Sequence, residues 1–425
     1  MPEPSQTPAS QPTPDNRPMP LAQARARIVD AIVPITRTQR LPLAEALHRV
    51  LARTVTACID VPGSANSSMD GFGFAARDAS ADGVRLRLAG ESFAGHPFDG
   101  GLQAGECVRI MTGAVVPAGV DTVVMQENTR DEGESVIISQ VPEKGSNIRP
   151  AGEDIARGQI VMAAGQYLRP ADIAVLASIG IAEVTVHERP RVAFFSTGDE
   201  LRPVDGPIAP GEIYDSNRHG LAALLADLGM EGIDLGIVGD SREALEAAFA
   251  QAASADAVVT SGGVSVGAAD FVLDVLAQHG TVDFWRVAIK PGKPLAFGRL
   301  GDARFFGLPG NPVSTAVTFL QLVRPALVRL AGGTPAHPTR FKLPTRTELD
   351  KRPGRENFLR ARLDFSGDTP SVHAIDHQGS GVMRSMSAAD CFIVLPAASE
   401  AVAAGEYVTV EPFAQTIWGR PPDDA

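Results

Sequence analysis

Residues Ala255–His279 read ADAVVTSGGVSVGAADFVLDVLAQH: an apolar run, a turn rich in glycine, then apolar residues at helical spacing. The first part has the length and β-branched content of a buried strand, and the last part has the period of an amphipathic helix. The same rhythm continues on both sides. RVAFFST (Arg191–Thr197) precedes a helical stretch over Asn217 to Leu228, and IDLGIVG (Ile233–Gly239) precedes REALEAAFAQAA (Arg242–Ala253). VDFWRVAI, PLAFGRL and RFFGLPG then lead into a long helix from Pro312. Strands alternating with helices of this length predict βαβ units and a parallel sheet between Arg191 and Gly332.

The flanks have a different texture. Leu21, Ala24, Ile28, Ala31 and Ile32 place an amphipathic helix between Pro20 and Val33, and a second helix is expected over Leu43 to Leu51, behind Pro42. From Arg53 to Arg149, short β-rich runs such as VRLRLAG, CVRIMTG, DTVVMQE and SVIISQV alternate with Gly, Pro and Asp turns, as in an all-β module. Pro170 to Gly180 is helical, with proline at the first turn, where its missing N–H costs little. Beyond Thr334, FLRARLDF, CFIVLP and YVTVEPF predict a small closing barrel or sandwich.

The bulk numbers set limits. The chain has 425 residues, 44 % of them hydrophobic and 21 % charged, which suits a multidomain globular protein. Its net charge of −12 argues against nucleic acid as the main partner, which requires a basic field. No apolar run approaches the roughly 18 residues of a membrane span, so no membrane is expected. The first 17 residues, rich in Pro, Ser, Gln and Thr, read as a disordered tail without a secretory segment, and a cytoplasmic location follows. Cys58, Cys107 and Cys391 lie far apart, each with apolar neighbours, and read as buried and inert.

In an open α/β sheet, ligands bind beyond the C-terminal strand ends. STGDEL (Ser196–Leu201), TSGGVSVG (Thr260–Gly267) and LPGNPVS (Leu308–Ser314) all fall there. Glycines let the backbone approach a ligand, and successive N–H groups at a helix start favour an anion. Ser261, Gly262, Gly263, Ser265 and Ser314 thereby become ligand candidates. Neither GxGxxG nor GxxxxGK[ST] occurs, which disfavours dinucleotide redox chemistry and P-loop hydrolysis. IKPGKP places Lys290 and Lys293 around a Pro-Gly turn, a suitable clamp for phosphate or an oxyanion. Asp199, Glu200, Asp215, Asp240 and Asp270 recur near these turns, and carboxylates beside a phosphate call for a bridging Mg²⁺. NSSMDGF, RIMTGA and AGEDI read, on residues alone, as hairpin turns. GVSVG matches the nucleophile-elbow pattern around Ser265, but His279 closes the following helix and cannot readily reach back, so an anion-binding turn is the better reading. His373 and His377 read as a surface pair, with no third ligand nearby.

NSSMDGF, RIMTGA, AGEDI, STGDEL, IYDSN, TSGGVSVGAAD, IKPGKP and LPGNPVS occur in the order shown by the MoeA family of molybdopterin molybdenumtransferases, which the chain resembles from Pro20 to Phe413, as it resembles the E domain of gephyrin-like proteins. The resemblance implies an α/β plus β multidomain protein. Its parts would be a connecting domain (residues 18–52 and 149–187), a mobile β domain (53–148), a parallel-sheet α/β molybdopterin-binding domain (188–332) and a C-terminal β-barrel domain (335–415). It implies a homodimer whose cleft lies between the α/β domain of one subunit and the β domain of the other, which reverses the hairpin-turn reading of the β motifs. Carried over by motif, Asp70, Thr112 and Asp154 line the cleft from the β side. Glu200, Asp240 and Asp270 face them and hold Mg²⁺. Asp215, Ser216 and Asn217 contact pterin or nucleotide, while Lys290, Lys293, Pro294 and Ser314, with Arg355 and Ser380, form the molybdate pocket.

The reaction implied is insertion of molybdate into adenylated molybdopterin with release of AMP. A molybdopterin adenylyltransferase and acceptor molybdoenzymes are the candidate partners. Ser68, Phe72, Gly73 and Ala268 stand where the family more often has Ala, Tyr, Ala and Glu. The competing readings are a pterin adenylyltransferase, a noncatalytic pterin carrier and a serine hydrolase at Ser265.

Overall fold

The computed structural model describes residues 18–263 and 270–413. The chain forms two compact units, one of residues 1–37 with 187–425 and one of residues 38–186. The expected tail before Pro18, and Ser265 in the GVSVG turn, lie outside the described residues.

The first unit is built on a six-stranded sheet in the order Glu231–Val238, Arg191–Thr197, Ala257–Ser261, Ala303–Leu308, Pro294–Leu300, Gly280–Arg286. Its first four strands pair in parallel. The remaining pairings are antiparallel, so the sheet is mixed rather than parallel throughout. The reason is connection length. Only Gly301 and Asp302 join Leu300 to Ala303, which closes a hairpin, whereas a parallel crossover needs a dozen or more residues.

Successive strand residues point to opposite faces. Val192, Phe194, Val259, Phe306 and Leu308 face one core with the helices Leu21–Ala31, Ser216–Asp227 and Pro312–Leu330. Ala193, Phe195, Val258 and Phe305 face the other, with the helices Arg242–Ala252 and Asp270–His279. Leu21, Ala24 and Ile28 are buried in the first core. That anchors the N-terminal helix on the α/β layer, whereas residues 18–52 were expected to join the connecting region.

The long helix is regular over Pro312–Thr318, opens into a π turn over Phe319–Val323, and resumes at Arg324–Leu330. Pro325 accounts for the interruption, since its ring has no N–H and clashes with the carbonyl four residues back. By length and hydropathy this helix could cross a membrane, contrary to the expectation that no segment would qualify, but 72 % of it is buried and it is a core helix. Gln321, within the π turn, accepts from Arg25 Nη2 at 2.6 Å and donates to Glu411 at 2.6 Å, joining the N-terminal helix to the last strand.

That strand, Tyr407–Pro412, belongs to a second six-stranded sheet of the same unit, with Phe341–Pro344, Glu356–Asp364, Ser371–Ala374 and Cys391–Leu395. Its sixth member is Ile289–Lys290, paired in parallel with Glu356 and Asn357. The lysine turn is therefore continuous with the C-terminal sheet at one end and the α/β sheet at the other.

The second unit holds a six-stranded sheet in the order Thr122–Met125, Gly71–Phe74, Glu106–Ile110, Val84–Ser92, Ser135–Ile138, Thr129–Asp131. Phe72 is buried in its core with Phe74, Leu86, Cys107 and Val124, so the position that lacks the family's common tyrosine hydroxyl is a packing position. A smaller cluster of Leu51, Met162, Leu168, Leu176 and Val184 packs around the helix Pro170–Ser178.

Two expectations fail in this unit. Leu43 to Leu51 is not an α-helix: Leu43–Glu45 forms a short 3₁₀ element, Leu47 and His48 form a turn, and His48 sits at φ +63°. Val50 and Leu51 instead bridge Tyr167 and Val186, and a nine-residue helix cannot offset nucleation against such pairing. Cys58 is exposed, unlike Cys107 and Cys391, because Ala57 takes the inward position beside it.

Candidate active site

The C-terminal ends of the parallel strands open into a cleft of about 1220 Å³, contained entirely within the first unit. Its α/β side is lined by Thr197, Gly198 and Glu200 after the first strand, by Ser261–Gly263, and by Pro309–Pro312 with Ser314. Asp215 to Asn217 and Asp240 complete that side. Lys290–Pro294, Arg355, Phe358–Arg360 and Gln378–Gly381 with Met383 line the same cleft.

The glycine turn is shaped by steric need. Gly262 and Gly263 have φ of +93° and +67°, and a Cβ on Gly262 would lie 2.5 Å from the Thr197 carbonyl oxygen. Only glycine lets these two strand ends approach so closely. Asn217 ties the floor together, its Nδ2 donating to Ser261 Oγ and to the Gly310 carbonyl, each at 2.7 Å. Asp215 is 1 % exposed and fully engaged: it accepts from Ser196 Oγ at 2.8 Å, from Arg218 N at 3.1 Å and from Arg218 Nε at 3.1 Å. It caps the helix Ser216–Asp227 as a typical N-cap aspartate does. Its carboxylate thus sets the start of that helix, and Ser216 and Asn217 follow at the cleft edge.

Another part of the lining is cationic. Lys290, Lys293 and Arg355 are exposed to the cleft. Arg360, which the motifs of the sequence did not single out, is 1 % exposed and lines the same cavity. Its guanidinium donates to Ser385 Oγ at 2.9 Å and to the carbonyls of Gly379 and His377 at 3.0 and 3.3 Å. Burial pushes it down to about 10. Those contacts hold the loop that carries Ser380, whose carbonyl accepts from Val313 N at 3.0 Å. Lys351, also buried, is pushed below the ordinary lysine value by burial, then by Arg355 and Lys290. A signal for Arg360 did exist: the period of two puts it on the same face as Phe358, an inward position for a charged side chain.

Glu200 and Asp240 supply the acidic rim. Asp240 is open to solvent on one side, yet partial burial, then the charges of Asp199 and Glu200, push its carboxyl above the ordinary range. A bond from the Asp199 backbone opposes the rise. Among the described residues, no group of three or more His, Cys, Asp and Glu side chains forms a closed metal cage. Two carboxylates in one cleft do fit Mg²⁺, which characteristically takes one or two from the protein and the rest from phosphate and water. Asp270 opens the helix after the glycine turn, and the structure describes only its backbone.

In the second unit, Asp70 and Thr112 are brought together: Thr112 N and Oγ1 both donate to Asp70 Oδ1 at 2.7 Å. These bonds, the backbone one first, hold the Asp70 carboxyl below the ordinary range. Asp154 is exposed, with its N–H donating to the Val61 carbonyl at 3.0 Å.

Known proteins match along the chain. Family models for the MoeA N-terminal region (domains I and II), a probable molybdopterin binding domain and the MoeA C-terminal region (domain IV) match residues 19–180, 193–329 and 342–413. A molybdopterin molybdenumtransferase of Haemophilus influenzae is 44 % identical over 398 residues, covering 92 % of this chain and 98 % of the relative. One from Nostoc is 36 % identical over 408 residues, covering 92 % and 94 %. The crystal structure of a molybdopterin biosynthesis MoeA protein from Pyrococcus horikoshii OT3 superposes with a TM-score of 0.81 at 27 % identity, over 93 % of this chain and all of that one.

Proposed function

The chain belongs to the MoeA family and acts in molybdenum insertion into molybdopterin, and from that premise we propose that it inserts molybdate into adenylated molybdopterin in the cytoplasm, releasing AMP. The observation that carries this reading is the meeting of three kinds of group in one cleft. Backbone turns at strand ends share it with Lys290, Lys293, Arg355 and the buried Arg360, and with Glu200 and Asp240 at its acidic rim.

In this reading the cationic wall binds molybdate and neutralises charge developing on oxyanion and phosphate, which usually contributes most to lowering the barrier in such transfers. Ser314 and Ser380, near the start of the long helix, and Pro294 shape the molybdate pocket. Ser261 and Asn217 hold the glycine turn, whose backbone takes the phosphate, with Ser216 beside it at the rim. Glu200 and Asp240, with Asp270, would hold Mg²⁺, which when bound supplies positive charge to the phosphoanhydride. Asp70, Thr112 and Asp154 enter the proposal through the family resemblance, as does the homodimer.

Purified protein loaded with adenylated molybdopterin should release AMP only when molybdate and Mg²⁺ are both present. Release should fall sharply in Asp70→Asn and in Glu200→Gln. Tight pterin binding with no AMP release under any condition would refute the insertase and leave a carrier.

A further inference from the structure

Gly292, at φ +104° in the lysine turn, sits so close to the long helix that a Cβ on it would lie 2.5 Å from Thr318 Oγ1 and 3.4 Å from the Ser314 carbonyl oxygen. The turn carrying Lys290 and Lys293 therefore rests on the last turn of the segment Pro312–Thr318. Thr318 is completely buried, and its hydroxyl has no hydrogen-bond partner among the described residues. Thr315, in the same segment, behaves differently: its hydroxyl donates to the carbonyls of Pro309 and Asn311 at 2.6 and 3.1 Å. A buried hydroxyl left unpaired is costly, and in a helix it ordinarily bonds the carbonyl four residues back. For Thr318 that carbonyl belongs to Ser314, and both groups border Gly292.

We propose that Thr318 is a positioning residue for the oxyanion site. When molybdate holds the two ammonium groups, the lysine turn is fixed where it already rests against the helix, and the Thr318 hydroxyl pairs with a backbone group of the turn. The hydroxyl is unpaired without the anion and satisfied with it, so it adds to affinity by fixing the spacing of Lys290 and Lys293. Its contribution belongs to binding and not to the chemical step. This rests on the reading of the cleft as the molybdate site.

The consequence is a pair of opposite effects in Thr318→Val, which keeps the shape and removes the hydroxyl. Melting of the full-length protein without ligand should be unchanged or higher, because an unpaired buried group is gone. The rise in melting temperature on adding molybdate should shrink by half or more. In the AMP-release assay the KM for molybdate should increase about fivefold with kcat within about twofold, as the loss of one hydrogen bond dictates. Thr318→Ser, which restores the hydroxyl, should follow the wild type in both measurements. A full molybdate-induced shift and an unchanged KM in Thr318→Val overturn the proposal alone. So does equal impairment of the Val and Ser variants, which would assign the effect to packing. Absence of any molybdate-induced shift in the wild type overturns the reading of the cleft, and this proposal with it.

Discussion

Gly262→Ala tests whether steric need shapes the floor of the cleft. The new Cβ would lie 2.5 Å from the Thr197 carbonyl oxygen and 3.0 Å from its hydroxyl, with the backbone held at φ +93°. The left-handed conformation costs an alanine about 1–2 kcal/mol, and relieving the overlap with a backbone atom adds about 1–3 kcal/mol. The combined loss of about 2–5 kcal/mol lowers the melting temperature by about 5–15 °C. Gly405→Ala separates the two contributions, because Gly405 has φ +90° in the same unit and nothing within 4 Å of its Cβ position. That control should lose only the conformational part, about 1–2 kcal/mol. Differential scanning calorimetry of both variants, with AMP release measured alongside, gives the comparison. Gly262→Ala should melt below Gly405→Ala and lose most of its activity, while Gly405→Ala keeps its activity. Equal melting of the two variants with full activity in Gly262→Ala would refute the steric reasoning.

Arg360→Met removes a guanidinium whose depression to about 10 corresponds to about 3 kcal/mol of desolvation, but it leaves the Gly379 and His377 carbonyls short of a donor. Denaturant melts should therefore move by no more than about 2 kcal/mol, while molybdate-dependent AMP release falls about tenfold or more; a fully active variant would remove Arg360 from the electrostatics of the cleft. Because the Asp240 carboxyl is raised in the folded state, its contribution is present at low pH and lost as pH rises through and above the ordinary carboxylate value of about 4. Asp240→Asn should thus gain melting temperature over the wild type as pH rises through that window, and a gap that narrows instead would contradict the assignment. Thr112→Val removes the hydroxyl bond to Asp70 and keeps the stronger backbone one, so it should raise the Asp70 carboxyl only part of the way back, read by carboxyl-carbon NMR titration, and an unchanged titration would show that the hydroxyl does not hold it down. Chelating Mg²⁺ from loaded protein should stop AMP release without releasing the pterin, and undiminished release would remove the ion from the reaction.

Local sequence determined what depends on local period. The strands before Thr197 and Ser261, the helices that follow, and the turns between them were legible because burial alternates along a strand and recurs around a helix. Glycines after strand ends read as letting the backbone approach a ligand; in the structure Gly262 lies against the Thr197 carbonyl, and Gly292 of the lysine turn against the Thr318 hydroxyl. Pairing partners are not written in period. The hairpin at Gly301 and Asp302 made one pairing of an expected parallel sheet antiparallel, and bridges from Val50 and Leu51 displaced an expected helix. The first follows from a connection too short for a crossover, and the second from residues far apart in the chain that compete for the same backbone groups.

The candidate site divides in the same way. The lysine turn, the glycine turn and the acidic rim were readable as short motifs, each carrying its chemistry in a few adjacent residues. Tertiary structure alone decided that Asp215 would be buried in a helix cap, that Thr318 would lie beneath Gly292, and that Arg360 would line the cleft. A charge or hydroxyl takes its function from what surrounds it, and those surroundings come from separate sheets and helices brought together by folding.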